Sequence, residues 1–157
     1  MNKQDTNFMQ QAIDLSVQNV ANGGGPFGAV IVRDNEVVAT GVNRVTANND
    51  PTAHAEVSAI RAACQREGSF KLEGCTIYTS CEPCPMCLSA IYWAGISRIC
   101  FACTKQDAED IHFGDKFIYE EMARPIFERA IPTETFMREE ALQAFRAWDE
   151  KTDKVEY

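Results

Sequence analysis

The sequence predicts a three-layer α/β/α domain in which helices cover both faces of a mixed central sheet of about five strands. Two observations lead to this fold class. Segments with apolar residues at helical spacing alternate along the chain with short runs of β-branched residues. The length of 157 residues suits one compact domain that buries its own core, so we expect a single domain over residues 1–157.

The first elements are a helix and a hairpin. Residues 5–21 carry apolar side chains at helical spacing and end at a glycine-rich run, which predicts an amphipathic helix. Residues 28–32 and 37–42 are β-branched and apolar, and Asp34-Asn35 between them suits a tight turn. They are expected to form two antiparallel strands.

Further helices and strands alternate after this hairpin. The pattern predicts a helix over residues 53–66, a strand over 76–79, a helix that follows "SCEPCPMC" and stops at Gly95, and a strand over 98–102. Beyond it, "KQDAEDIHFGDKFIYEEM" suggests a loop leading into a helix. A last helix is expected from Glu139 to Trp148.

Charge and composition narrow the class of partner. The formal net charge is -8, with 15 Lys and Arg against 23 Asp and Glu, which argues against a nucleic-acid partner and favours a small substrate. No apolar run approaches the roughly 20 residues that a membrane span needs, and no secretory signal precedes the first helix. We therefore expect a cytoplasmic protein without a membrane partner, whose seven cysteines are thiols.

Two short motifs carry the expected chemistry. His54-Ala55-Glu56 and Pro83-Cys84-Pro85-Met86-Cys87 each open a predicted helix. One imidazole and two thiolates are good ligands for zinc, and three protein ligands leave a fourth position for water, whose pKa zinc lowers to about 7. The sequence predicts that His54, Cys84 and Cys87 bind Zn²⁺ and that Glu56 moves the protons, in the pattern of zinc nucleobase deaminases.

A geometric condition accompanies this prediction. Residues two apart on an ideal helix point to nearly opposite sides. His54 and Glu56 therefore reach one site only if they lie where the chain enters its helix.

The remaining cysteines offer a second zinc site and a non-enzymatic function. Cys81 and Cys84, with Cys100 and Cys103, have the spacing of a structural zinc ribbon, which would make the chain a binding module. However, Cys100 and Cys103 fall in an apolar strand, where residues three apart face opposite sides of a sheet. We expect these two, with Cys64 and Cys75, to be small core residues.

The chain resembles the cytidine deaminase superfamily and, within it, the small zinc-dependent guanine deaminases. The resemblance rests on "GGPFGAVIV", "GVN", "NDPTAHAEV", "YTSCEPCPMCL", "AIYWA", "FGDKFIY" and the terminal "EY". It implies a cytidine deaminase-like fold and assigns residues to the substrate. The implied substrate-binding residues are Phe27 against the purine face, Asn43 at its edge, Ala55, Trp93 in the pocket wall and Tyr157 closing the site. Asp115 is implied beside the exocyclic amine, as a second catalytic residue.

The reaction implied by the resemblance is hydrolysis of guanine to xanthine and ammonia in purine breakdown. Other deaminations stay open at this point, namely of cytosine, cytidine, guanosine, an aminotriazine or, less in keeping with the charge, adenosine in tRNA. Relatives of this fold associate, and some exchange their C-terminal segment. The resemblance therefore implies a homodimer in which residues of about 137–157 cover an active site or exchange between subunits.

Overall fold

The computed structural model describes residues 3–157 and alternates helices with strands as the sequence predicts. The four strands are β1 (Gly28–Arg33), β2 (Glu36–Val42), β3 (Thr76–Cys81) and β4 (Arg98–Cys103). The helices are α1 (Lys3–Ala21), α2 (Val45–Asn48), α3 (Ala55–Glu67), α4 (Pro85–Trp93), α5 (Lys105–Asp110), α6 (Lys116–Ala123) and α7 (Arg138–Glu150), with a 3₁₀ turn at Ile126–Glu128.

The central sheet is mixed, in the order β2-β1-β3-β4. β1 pairs antiparallel with β2 and β3, whereas β3 and β4 are parallel. The turn between β1 and β2 has positive φ at Asp34 and Asn35, as a tight hairpin requires. The fold class is confirmed, but the sheet has four strands instead of about five, because the described chain beyond β4 forms helices and loops.

Two cores lie on the two faces of the sheet, as alternation along β1 dictates. Ala29 and Ile31 belong to the core that packs against α3 and α4, whereas Val30 and Val32 belong to the core beneath α1. Three layers result, with α1 on one face and α3 and α4 on the other. The loops that lead into α3 and α4 hold the residues of the two zinc motifs.

The chain divides into two compact units, Met1–Lys116 and Phe117–Tyr157. The first unit contains the sheet and both cores. None of residues 117–157 is buried, and α6 and α7 expose large apolar side chains. Among residues 3–157, no helix is long and apolar enough to cross a membrane.

Two short helices are absent from the sequence prediction, α2 at Val45–Asn48 and α5. Residues 105–110, expected as a loop, form α5. Thr104 caps it, because its hydroxyl accepts from Asp107 N while the Asp107 carboxylate accepts from Thr104 N. This reciprocal cap stabilises a helix that is too short to show an apolar period.

Candidate active site

The entry to α3 brings His54 and Glu56 to one side. His54 is the residue before the helix and has extended backbone angles, φ -71° and ψ 159°, whereas Glu56 lies in the first turn. Of these two residues only Glu56 has helical backbone angles. The two side chains therefore need not point in opposite directions, as they would on an ideal helix. The geometric condition set by the sequence is met.

The start of α4 presents two sulfurs. Cys84 caps the helix, and Cys87 N donates to Cys84 Sγ at 3.5 Å. Pro85 occupies the first turn, where its missing N–H leaves no hydrogen bond unmade. The positive end of the helix dipole favours the thiolate form of a cysteine at this position.

His54, Cys84 and Cys87 form a group able to hold a metal ion, since their ligand atoms all lie within 4.8 Å of one another. His54 Nδ1 is 3.5 Å from Sγ of Cys84 and 3.5 Å from Sγ of Cys87. Zinc bonds of about 2.3 Å to sulfur and about 2.0 Å to nitrogen, at a tetrahedral angle, separate such atoms by about 3.5 Å. The three residues therefore fit zinc in both chemistry and spacing.

The ionisation of these groups suits metal binding. The neighbouring Cys87 side chain and, after it, His54 lower the pKa of Cys84 to about 4. The pKa of Cys87 is raised, first by its hydrogen bond to Cys84. A bound zinc ion would require both sulfurs as thiolates, so Cys87 would give up its proton on metal binding.

Glu56 lies beside this group and is buried, with 8% of its surface exposed. The Cys87 thiol donates to Glu56 Oε2 at 3.3 Å. Burial raises the pKa of Glu56 above its usual value. A raised pKa makes the carboxylate of Glu56 a stronger proton acceptor, which suits a group that accepts and returns protons during a reaction.

Asp115 contributes a second carboxylate. Its charge contributes to the raised pKa of His54, so Asp115 lies within electrostatic reach of that ring. Burial raises the pKa of Asp115, and the charges of Cys84 and Glu82 raise it further. Its Oδ1 is buried without a hydrogen-bond partner among the residues described. Buried acceptors are rarely left unpaired, so a donor from a bound molecule would satisfy this oxygen.

The expected purine-face and purine-edge residues are neighbours. Asn43 N donates to Phe27 O at 3.2 Å, and Asn43 is buried. Phe27 meets Phe113 edge to face, with ring centroids 5.2 Å apart. The sequence pattern assigns no role to Phe113, because its contact with Phe27 exists only in the folded chain. Ala55, the first residue of α3, is 1% exposed.

Two expected residues lie on exposed surface. Trp93, the last residue of α4, is 65% exposed, and six residues of helix separate it from Cys87 by about 9 Å along the axis. Tyr157, which belongs to the second unit, is 75% exposed. Neither is part of the group formed by His54, Cys84 and Cys87.

The zinc-ribbon alternative is not supported. His54, Cys84 and Cys87 are the one metal-ligand group found over residues 3–157. Cys100 packs against the core beneath α1, and Cys75 is fully buried. Cys103 is exposed, so the expectation that it is a core residue was wrong, because β4 lies at the edge of the sheet.

Comparison with known proteins identifies the family. The sequence model of the cytidine and deoxycytidylate deaminase zinc-binding region matches residues 2–103, which include both motifs. The chain belongs to this deaminase family. Its members bind zinc, so zinc is the cofactor that the His-Cys-Cys group fits.

Three relatives refine the placement within the family. A guanine deaminase of Bacillus subtilis is 50% identical over 96% of this chain and 97% of its own. An X-ray structure of guanine deaminase from the same organism has a TM-score of 0.95 at 49% identity and covers 100% of this chain and 99% of that one. A tRNA-specific adenosine deaminase of Aquifex aeolicus is 32% identical over 85% of this chain and 86% of its own.

Proposed function

We propose that this chain hydrolyses guanine to xanthine and ammonia. The observation that carries the proposal is the likeness to the Bacillus subtilis guanine deaminase, which extends over nearly the whole of both chains in sequence and in structure. A likeness limited to the zinc motifs would support deamination without indicating the base.

The proton transfers are assigned to Glu56. Zinc held by His54, Cys84 and Cys87 would lower the pKa of a bound water and so supply the nucleophile at neutral pH. Glu56 Oε2 would carry one proton of the water to N3 of guanine as the water oxygen bonds to C2. It would then carry the remaining proton of the new C2 hydroxyl group to the amine nitrogen, so that the C2–N bond breaks and ammonia leaves. Its burial and its contact with Cys87 support this assignment, since a desolvated carboxyl group has the raised pKa that such exchange needs.

The substrate contacts are assigned to neighbouring elements. Phe27 is assigned to the face of the flat purine, and Asn43 is assigned to a hydrogen bond at its edge. Ala55 is assigned to the bottom of the substrate pocket, beside Glu56. The unpaired Oδ1 of Asp115 accepts from the exocyclic amine of guanine, which is the group that leaves. A carboxylate oxygen suits this donor edge, and an aromatic ring suits the purine face.

A homodimer is the proposed assembly. The second unit buries none of its residues and exposes Phe117, Phe127, Ile131, Phe136 and Phe145. Tyr92 and Trp93 at the end of α4 are also exposed. Apolar area of this extent favours a partner surface. In the proposed dimer Trp93 lines the pocket, and Tyr157 with residues of about 137–157 closes an active site.

Adenosine in tRNA is the alternative that must be tested, because a tRNA-specific adenosine deaminase is also a relative. The formal net charge of -8 opposes binding to a phosphate backbone. Purified protein should therefore release xanthine from guanine and form no inosine in a tRNA anticodon stem. Inosine formation without xanthine would mean that adenosine in tRNA is the substrate instead of guanine. Xanthine formation would support a role in the breakdown of free purines, for which the cytoplasm is the expected compartment.

A further inference from the structure

A buried asparagine in the last turn of α1 connects the two loops that carry the proposed purine contacts. Asn19 Nδ2 donates to the backbone oxygen of Gly25 at 2.8 Å and to that of Asn43 at 2.8 Å. Asn19 is only 7% exposed. Gly25 lies two residues before Phe27, whose ring is assigned to the purine face.

The two backbone oxygens require that the amide nitrogen of Asn19, and not its amide oxygen, lies between them. Both partners are carbonyl oxygens, which accept and never donate, so the side-chain atom between them must be the –NH₂ group with its two hydrogens. A carboxylate in the same place would repel both carbonyls. An alanine would leave two buried acceptors without their donor.

The backbone is fitted closely around this side chain. Gly24 N donates to Asn19 O at 2.8 Å, and a Cβ on Gly24 would come within 2.3 Å of Asn19 Nδ2. A Cβ on Gly25 would lie 3.1 Å from Asn43 Oδ1. The two glycines therefore allow the loop to lie directly on the two asparagine side chains.

We propose that Asn19 is a positioning residue that sets the distance between Phe27 and Asn43, and through them the orientation of the purine. The inference rests on the proposed function for the identity of the bound ring. It does not involve the metal ligands or Glu56, which lie at the starts of α3 and α4. Loss of Asn19 should therefore impair substrate binding more than the chemical step.

The test compares four variants of the zinc-loaded full chain. Asn19→Asp keeps the shape and removes both donors, and Asn19→Ala removes the side chain. Gln18→Ala changes an exposed neighbour on the same helix. Ala12→Gly destabilises α1 at a buried position on the same helix. It is the control for the effect that a general loss of stability has on KM.

Both Asn19 variants should raise KM for guanine by about 10- to 100-fold with a smaller change in kcat, because misplaced binding groups lose affinity and orientation. Zinc content should stay at the wild-type value. In hydrogen exchange, the amides of Gly24, Phe27, Asn43 and Val45 should lose protection in the Asn19 variants and keep it in Gln18→Ala.

The inference is overturned if these amides keep wild-type protection in the Asn19 variants. It is also overturned if Ala12→Gly, with the same loss of Tm as an Asn19 variant, raises KM for guanine by the same factor. A wild-type protein inactive on guanine would refute the proposed function instead. Hydrogen exchange would then decide alone whether Asn19 holds the two loops together.

Discussion

Glu56 Oε2 and Cys87 Sγ lie 3.3 Å apart, although 31 residues separate them in the sequence. Glu56 belongs to the first turn of α3 and Cys87 to the first turn of α4, so two helix starts meet at one point. The contact places the proposed proton carrier against a proposed metal ligand. Because the two proposed roles belong to different side chains, mutation of Glu56 should separate proton transfer from metal binding.

Glu56→Gln should bind zinc like the wild type and lose about 10²- to 10⁴-fold in kcat, because the amide has the same shape and carries no exchangeable acid. Zinc content by elemental analysis and xanthine formation from guanine measure the two effects. Glu73→Gln, at an exposed position, is the matched control and should be fully active. Near wild-type turnover in Glu56→Gln would remove Glu56 from the mechanism.

Chelation should abolish turnover and leave the fold intact. Both cores of the first unit are built from apolar side chains on the sheet, α1, α3 and α4, so they do not require the metal. Far-UV circular dichroism should therefore persist in the stripped protein, and added zinc should restore activity. Cys84→Ser should lose zinc, whereas Cys100→Ser should keep it. Unfolding on chelation would indicate a structural zinc site instead.

Alkaline pH should weaken the junction between α1 and the sheet. Tyr78 OH donates to the buried carboxylate of Asp5 at 2.6 Å, and Arg98 pairs with the same carboxylate. Burial and then the hydrogen bond to Asp5 raise the pKa of Tyr78 to about 12. A pKa raised by folding adds stability that is fully present below the unfolded value of about 10 and is lost as pH rises towards 12.

Urea unfolding should show this loss between pH 10 and the folded pKa of about 12 in the wild type and a flatter dependence in Tyr78→Phe. At pH 8 the substitution should lower the free energy of unfolding by about 1–2 kcal/mol, because Asp5 loses one donor and keeps Arg98. Tyr92→Phe is the control, since Tyr92 is 76% exposed. Equal pH dependence in wild type and Tyr78→Phe would contradict the assignment.

Removal of Tyr157 should lower kcat/KM for guanine by roughly 10-fold if the terminal ring closes the site, since closure positions the substrate and excludes water. Zinc content should not change, and Glu156→Gln should behave like the wild type. Sedimentation of the full chain should give the mass of two copies. Full activity in the truncated protein, or a monomer at all concentrations, would refute the respective part of the proposal.

Local patterns made the metal site and most of the fold predictable. His54, Glu56, Cys84 and Cys87 could be found because each pair is close in sequence and opens a helix. The role of Asn19 could not be found in the same way, because its hydrogen-bond partners lie 6 and 24 residues away in the sequence and contact it only in the folded chain.

Other features depend on tertiary structure in the same way. The apolar sequence of β4 gave no sign that Cys103 would be exposed, because exposure follows from the edge position of the strand. The capping box of α5 was present in the sequence as Thr104 and Asp107. It was missed because a helix of six residues has no apolar period.

Ammonia release by the zinc-loaded protein decides whether guanine is the substrate. Guanine, guanosine, cytosine, cytidine, adenine and an aminotriazine would be compared, with Glu56→Ala as the blank and Asp115→Ala beside it. We expect ammonia release from guanine alone, no release in Glu56→Ala, and a marked decrease in Asp115→Ala. If the protein released no ammonia from guanine but did so from another of these compounds, the proposed substrate would be wrong. The roles given to Phe27, Asn43 and Asp115 would be wrong with it.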